Sequence, residues 1–253
     1  MFHKCLERRN TDARFTNHFM KKTLTVLTLA ALAASVATAA EISGKVTLSG
    51  TPAPEKAITL DAACGKLQPK PITTRHYVVG ADKGLADVFV YVKAGAKPAP
   101  APATKGPLLD QVGCEYTPYV IGVQAGQKFD VANSDALLHN VHPLPKVPGN
   151  KERNVGQPVK GMKTEFSFDK QEVLVQFKCD VHPWMFAYVG VVEHPYFAVT
   201  DKDGNFKISG LPAGEYTIEA MHRKAGVATE KLTVGADDKK TASFTLKVPA
   251  ATP

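Results

Sequence analysis

The sequence predicts an all-β protein, on two observations. Apolar residues recur at period two in short runs, and those runs are bounded by Gly, Pro and Asp turns rather than extended into helices. No long amphipathic helix is evident anywhere in the 253 residues.

Read in order, the chain opens on a processing segment. From Met20 it runs Lys21-Lys22, then the apolar stretch Leu24 to Val36, then Ala37-Thr38-Ala39. A charged region, an apolar region and a small-residue site form a secretory signal, with cleavage expected after Ala39 or Ala40. The apolar stretch is too short for a permanent span, so no membrane span is expected in the mature chain. Translation starts at Met1 or Met20, and residues 1–40 are set aside from the fold. That segment holds six Lys/Arg and two Asp/Glu, so the net charge of +7 falls to +3, from 25 basic and 22 acidic residues. Basic residues are scattered and no basic helix appears, which argues against nucleic acid as a partner.

The region 41–95 begins with the alternating strand Ile42 to Leu48, meets a Gly50-Thr51-Pro52 turn, and ends with the buried strand Val88 to Val92. Between them, Thr51 to Asp87 carries no clear period. Pro98, Pro100, Pro102 and Pro107 then mark a linker over 96–107. Strands at Lys128–Ala132 and Val173–Cys179 fall within a second unit, 108–195. The last part, 196–250, has the tight turn Asp201-Lys202-Asp203-Gly204 entering a strand, and a glycine-bounded turn before Glu215 to Ile218.

The chemistry concentrates in Cys179-Asp180-Val181-His182-Pro183-Trp184-Met185. Along Val173 to Cys179, alternation places Val173, Val175, Phe177 and Cys179 on one face, expected to be the core face, so the thiol points inward. His182 and Met185 follow within one loop. A second imidazole stands upstream in Asn133-Ser134-Asp135-Ala136-Leu137-Leu138-His139-Asn140-Val141-His142. Two His, one Cys and a weak Met form the donor set of a type 1 (blue) copper site, whereas zinc rarely recruits methionine. Each residue alone has a plainer role: a buried thiol, a gap-filling Met, a loop His. His142, three residues from His139, reads as a supporting neighbour of the site or an alternative ligand, and is not counted among the four. His76, His194 and His222 lack ligand spacing to any neighbour and read as surface or satisfied core residues.

The run Gly113 to Glu193 resembles a cupredoxin of the amicyanin and pseudoazurin kind. The resemblance rests on Glu115-Tyr116-Thr117-Pro118, Val123-Gln124-Ala125-Gly126-Gln127, His139-Asn140-Val141-His142 and the Cys-x-x-His-x-x-Met loop. It implies a Greek-key β-sandwich, His139, Cys179 and His182 as equatorial copper ligands, Met185 as axial ligand, and Asn140 as a hydrogen-bonding brace of the cysteine loop. It also implies a ring edge of His182 near the surface, framed by the electron-transfer patch Pro183, Trp184 and Phe186; the plainer reading has Trp184 packed down and covering the site. Leu138 departs from the proline that amicyanin has there.

Removing residues 1–40 removes Cys5. With Cys179 on copper, Cys64 and Cys114 remain as a disulfide pair in an oxidising compartment. Two free buried thiols, or a second metal site, are the alternatives. No Cys-x-x-Cys-His occurs, which argues against covalent haem.

The 196–250 region resembles the transthyretin-like modules also found as carboxypeptidase regulatory-like domains. Such modules usually open with a Gly-x-Val strand and a Val-x-Val strand, and those pieces stand far upstream at Gly44-Lys45-Val46 and Val88-Phe89-Val90. Residues 41–95 and 196–250 are therefore expected to complete one sandwich that carries the copper domain as an insert; the rival is three units in a row.

These readings give a periplasmic or secreted one-electron carrier, not an enzyme, holding one copper and meeting a redox protein such as a dehydrogenase or cytochrome. The alternatives are a copper-binding or storage protein without redox turnover, and a scaffold with a structural metal site that docks a partner or carbohydrate.

Overall fold

A computed structural model describes residues 39–250. The signal read into 1–40 lies outside the described residues, save Ala39 and Ala40. Nearly all of the regular structure is strand: β1 (Ala40–Ser49), a short helix α1 (Ala62–Leu67) and β2 (Phe89–Ala94) come first. Then follow β3 (Leu109–Val112), β4 (Glu115–Thr117), β5 (Val120–Gln124), β6 (Phe129–Asn133), β7 (His139–Leu144), β8 (Val155–Gln157), β9 (Lys163–Phe166), β10 (Glu172–Lys178) and β11 (Phe186–Val192). Last come β12 (Phe197–Val199), β13 (Asn205–Leu211), β14 (Gly214–His222), β15 (Gly226–Val234) and β16 (Lys239–Lys247).

The sheets sort these strands into two sandwiches. One has the sheets β13-β1-β16 and β12-β2-β14-β15; the other has β5-β11-β10-β7-β8 and β4-β3-β6-β9. Strand β1 pairs antiparallel with β13, Ile42 opposite Ile208, and parallel with β16, Val46 opposite Phe244. Strand β2 likewise sits between β12 and β14. Both ends of the described chain thus build the first sandwich, and β3 to β11 build the second. In the first, the alternating residues Ile42, Val46 and Leu48 enter a core with Ile208, Ile218 and Phe244. Gly44 is required there: a Cβ would lie 1.6 Å from the Ala242 carbonyl of β16.

The second core gathers Phe129, Phe166, Phe168, Phe177, Val189 and Cys179. Alternation along β10 holds only from Val175: Val175, Phe177 and Cys179 are buried, while Val173 is half-buried. A bulge is the cause. The register shifts between Glu172 and Val175, with Leu174 at φ 62°, which re-aims Val173 and Leu174. They join a third cluster between the sandwiches, around Phe89, Tyr91, Tyr119, Val120 and Val192. Gly122 of β5 and Gly190 of β11 face each other in register, and a Cβ on Gly190 would lie 2.5 Å from the Phe89 ring. The paired glycines leave a flat seat on which Phe89 and Phe197 rest.

The stretch Thr51 to Asp87, without period in the sequence, crosses toward the second sandwich. It contains α1, whose N-cap Asp61 accepts from Ala63 N (2.9 Å) and Cys64 N (2.7 Å).

Candidate metal centre

Strand β7 starts at His139, and β10 ends one residue before Cys179, on a neighbouring strand of the same sheet. The loop between β10 and β11 closes on itself, with Met185 N donating to the His182 carbonyl (3.0 Å) and Cys179 N to that of Met185 (3.2 Å). Tight closure turns His182 back toward Cys179. His139 Nδ1 lies 2.9 Å from His182 Nδ1, and Cys179 Sγ lies 3.7 Å from the same His182 atom. The three donor atoms fall within 4.8 Å of one another, all on buried residues. Met185 is also fully buried and belongs to the core cluster that contains Cys179.

Asn140 ties the two strands together. Its N–H points at Cys179 Sγ (3.4 Å), its side-chain oxygen accepts from Asp180 N (2.5 Å), and its amide donates to Asp180 Oδ2 (3.1 Å). The Tyr116 hydroxyl donates to the Asn140 carbonyl (3.0 Å), with the Lys178 carbonyl at 3.3 Å.

Asp135 has a role that its place in the sequence does not announce. Its Oδ2 is 2.9 Å from His139 Nε2, and its two oxygens accept from Gly113 N (2.7 Å) and Cys114 N (2.8 Å). A carboxylate only accepts, so His139 carries its proton on Nε2 and turns the lone pair of Nδ1 toward His182 and Cys179. Two imidazole nitrogens and a thiol sulfur converging on a buried point, one nitrogen fixed as an acceptor, suit a soft cation. The residues present therefore fit copper. The signal in the sequence was the Asp135–His139 spacing of four, carried by a loop where spacing has no periodic meaning.

The charges respond accordingly. Burial favours the thiol form of Cys179, but its contact with His139 and hydrogen bonds from the Asn140 and loop N–H groups outweigh it and lower its pKa. Burial likewise opposes charge on His139, and its contacts with Cys179 and Asp135 prevail and raise its pKa. His182 is pushed down, first by burial and then by the charge of His139.

The resemblance implies a His182 ring edge near the surface; in the structure the residue is 4% exposed. Helix α1 lies over it: Asp61 Oδ2 is 3.6 Å from His182 Nε2, and the sulfurs of Cys64 and Cys114 fall within 4.8 Å of a His182 nitrogen. Cys64 and Cys114 are joined as a disulfide, with Cα atoms 5.8 Å apart, which anchors α1 to the turn between β3 and β4. Trp184 is half-buried and donates from Nε1 to the Cys114 carbonyl (3.1 Å), and Phe186 is half-buried in the cluster between the sandwiches. Of the three expected patch residues only Pro183 is exposed. The apolar side chains exposed beside the ligands are instead Leu138 (48%) and Val181 (46%).

His142 is turned away from the cluster. Its ring nitrogens lie 2.7 Å from Asp180 Oδ2 and 2.7 Å from Glu152 Oε1. Among the described residues, His76, His194 and His222 join no group of metal-binding side chains.

The β-sandwich thus buries two imidazoles and a thiol at one end, a group that could hold a metal ion, and known proteins can be set beside it. The carboxypeptidase regulatory-like domain family matches residues 183–247. That span covers β11 to β16 but not β1 and β2, the upstream strands that complete the sandwich. Among solved structures, an oxidised proline-to-glycine mutant of amicyanin is 21% identical, over 40% of this chain and 97% of that one, with a TM-score of 0.31. A purple cupredoxin from Nitrosopumilus maritimus is 26% identical over 30% of this chain and 80% of that one, TM-score 0.26. A copper-containing nitrite reductase from Thermus scotoductus SA-01 is 19% identical over 39% of this chain, which spans about a quarter of its length (26%), TM-score 0.32. No curated protein matches the chain.

Proposed function

We propose that the protein is an exported one-electron carrier, not an enzyme, holding a single type 1 copper at His139, Cys179, His182 and Met185. One observation carries this reading: His139 Nδ1, His182 Nδ1 and Cys179 Sγ converge within 4.8 Å in a buried site. Copper, when bound, supplies the couple between Cu(II) and Cu(I). The chain's own part is to keep the ligands in place. Asp135 fixes the ring of His139, Asn140 holds the cysteine loop, and the surrounding aromatic core excludes water, so little rearranges when charge changes. Secretion fits the Cys64–Cys114 disulfide, which persists in oxidising compartments.

The partner, a dehydrogenase or cytochrome in class, would meet the site where it is thinly covered. Leu138, Val181 and Pro183 supply an exposed apolar face beside both histidines, and small apolar contacts suit brief redox encounters.

The test is to add Cu(II) to purified protein and follow the visible thiolate-to-copper absorption. An intense band that bleaches and returns through cycles of reduction and oxidation is expected, and Cys179→Ser should abolish it. A colour that survives Cys179→Ser would sink the assignment. A second reading, copper holding without turnover, is favoured by α1 covering His182; binding with no reversible redox response would select it.

A further inference from the structure

A cavity of about 230 Å³ opens beside the ligand loop, where the stretch between β1 and β2 crosses in front of it. Ile58 and Ile72 from that stretch, with Trp184 from the ligand loop and Phe186 at the start of β11, give it an apolar aromatic lining. Arg223, at the end of β14, also reaches into it. Its guanidinium is half-buried, and its partners are all neutral: Nη1 donates to the hydroxyls of Tyr119 (2.5 Å) and Tyr188 (2.8 Å), and Nη2 to His76 Nδ1 (3.1 Å). Among the described residues no carboxylate forms an ion pair with it. Two tyrosine rings lie 5.8 and 5.1 Å from its carbon and hold its plane.

The other charges of the lining are engaged. Arg75 is paired with Asp87 at 2.8 Å, and Glu115 takes a hydrogen bond from Gln68 Nε2 at 3.1 Å. A guanidinium has five N–H donors in a planar fork, and this one spends three bonds on neutral acceptors. A cation left unbalanced at the side of an apolar cavity matches a carboxylate, which takes a fork two-pronged, and the aromatic lining suits a flat ring behind it. A few polar groups converging in an apolar cavity are the general anatomy of a small-molecule site.

We propose that this cavity binds a small aromatic carboxylate, its charge on Arg223 and its ring against Trp184. The cavity adjoins the metal centre, since Met185 also lines it, but the proposal is tested without copper and does not rest on the copper reading.

Trp184 is the only tryptophan of the chain, so its emission reports occupancy directly. Benzoate titrated into the full mature chain should change that emission saturably, with benzyl alcohol, benzylamine and acetate each at least tenfold weaker. Arg223→Gln should weaken benzoate at least tenfold, and Arg223→Lys, which keeps charge but loses the fork, should fall between. Ile72→Trp, measured by calorimetry, leaves Arg223 intact but fills the cavity and should abolish binding; this arm stands if Arg223→Gln does not fold. No saturable benzoate response, equal affinity for benzyl alcohol or benzylamine, or full affinity in either Arg223→Gln or Ile72→Trp would overturn the proposal.

Discussion

Asp135 shows how much one side chain decides at the metal centre. It accepts from His139 Nε2 and from two backbone N–H groups of the turn that carries Cys114, so it aims an imidazole and ties it to the disulfide. Partners of this kind typically contribute 10–100-fold to metal affinity. Asp135→Asn keeps the shape but loses the charge that makes His139 a stronger donor. Copper affinity, read by competition with a chelator, should fall by about that factor, and the reduction potential should rise because Cu(II) loses more than Cu(I). Unchanged affinity and potential would leave Asp135 a purely structural residue. The candidate ligands stood out by their residue types and, for Cys179, His182 and Met185, by the three-residue steps of one loop. Asp135 and Asp61 were not, since a carboxylate in an irregular loop looks like any solvated charge until the backbone brings it to a ring nitrogen.

At the scale of elements, the strands followed from alternation and the cap did not. Ile42 to Leu48 and Val173 to Cys179 read as strands, and the Leu174 bulge escaped because a single residue in the left-handed region leaves no trace in a hydrophobic pattern. Helix α1 has six residues, too few to be stable alone in water. Its N-cap and the Cys64–Cys114 bond hold it over His182, and the two cysteines are 50 residues apart. A crosslink closing such a loop typically stabilises by about 2–4 kcal/mol. The paired change Cys64→Ser and Cys114→Ser should lower the urea midpoint correspondingly and speed extraction of copper by a chelator, because the cap then frays from His182. Equal extraction rates would mean that α1 does not limit access to the site.

One pH response of the whole molecule lies in the first sandwich. Burial, aided by the charge of Arg223, holds His222 down to about 4 from its ordinary 6.5. Its Nδ1 accepts from Ala225 N (3.1 Å) and its ring stacks on Tyr77. The unfolded chain takes up this proton near pH 6.5 and the folded one only near 4, so between those values the unfolded state binds more protons. Stability should therefore fall as pH drops through that window, by about 3 kcal/mol at roughly 1.4 kcal/mol per unit. Burial also depresses His194, which adds in the same direction. His222→Gln should flatten much of the slope in urea melts between about pH 7 and 4, and an unaltered slope would assign it to other groups.

Cooperation between the two sandwiches rests on a contact that no local pattern announces. Phe89 is fully buried, yet it belongs to the cluster between the sandwiches rather than to the core of its own. Gly190 and Gly122 supply its seat, and a Cβ at Gly122 would come within 2.5 Å of Phe197 and 2.8 Å of Phe89. Both glycines lie in strands, where glycine costs backbone entropy, so their presence is explained by the close approach of the rings. Gly190→Val would drive a branched side chain into Phe89, an overpacking that typically costs about 1–3 kcal/mol. Because the strain falls at the junction, each sandwich keeps its own core while their coupling weakens. Thermal unfolding followed by the copper band and by far-ultraviolet circular dichroism should coincide in the original protein and separate in Gly190→Val. Coincident transitions at an unchanged midpoint would mean that the seat is dispensable and that the strand connections alone hold the two sandwiches together.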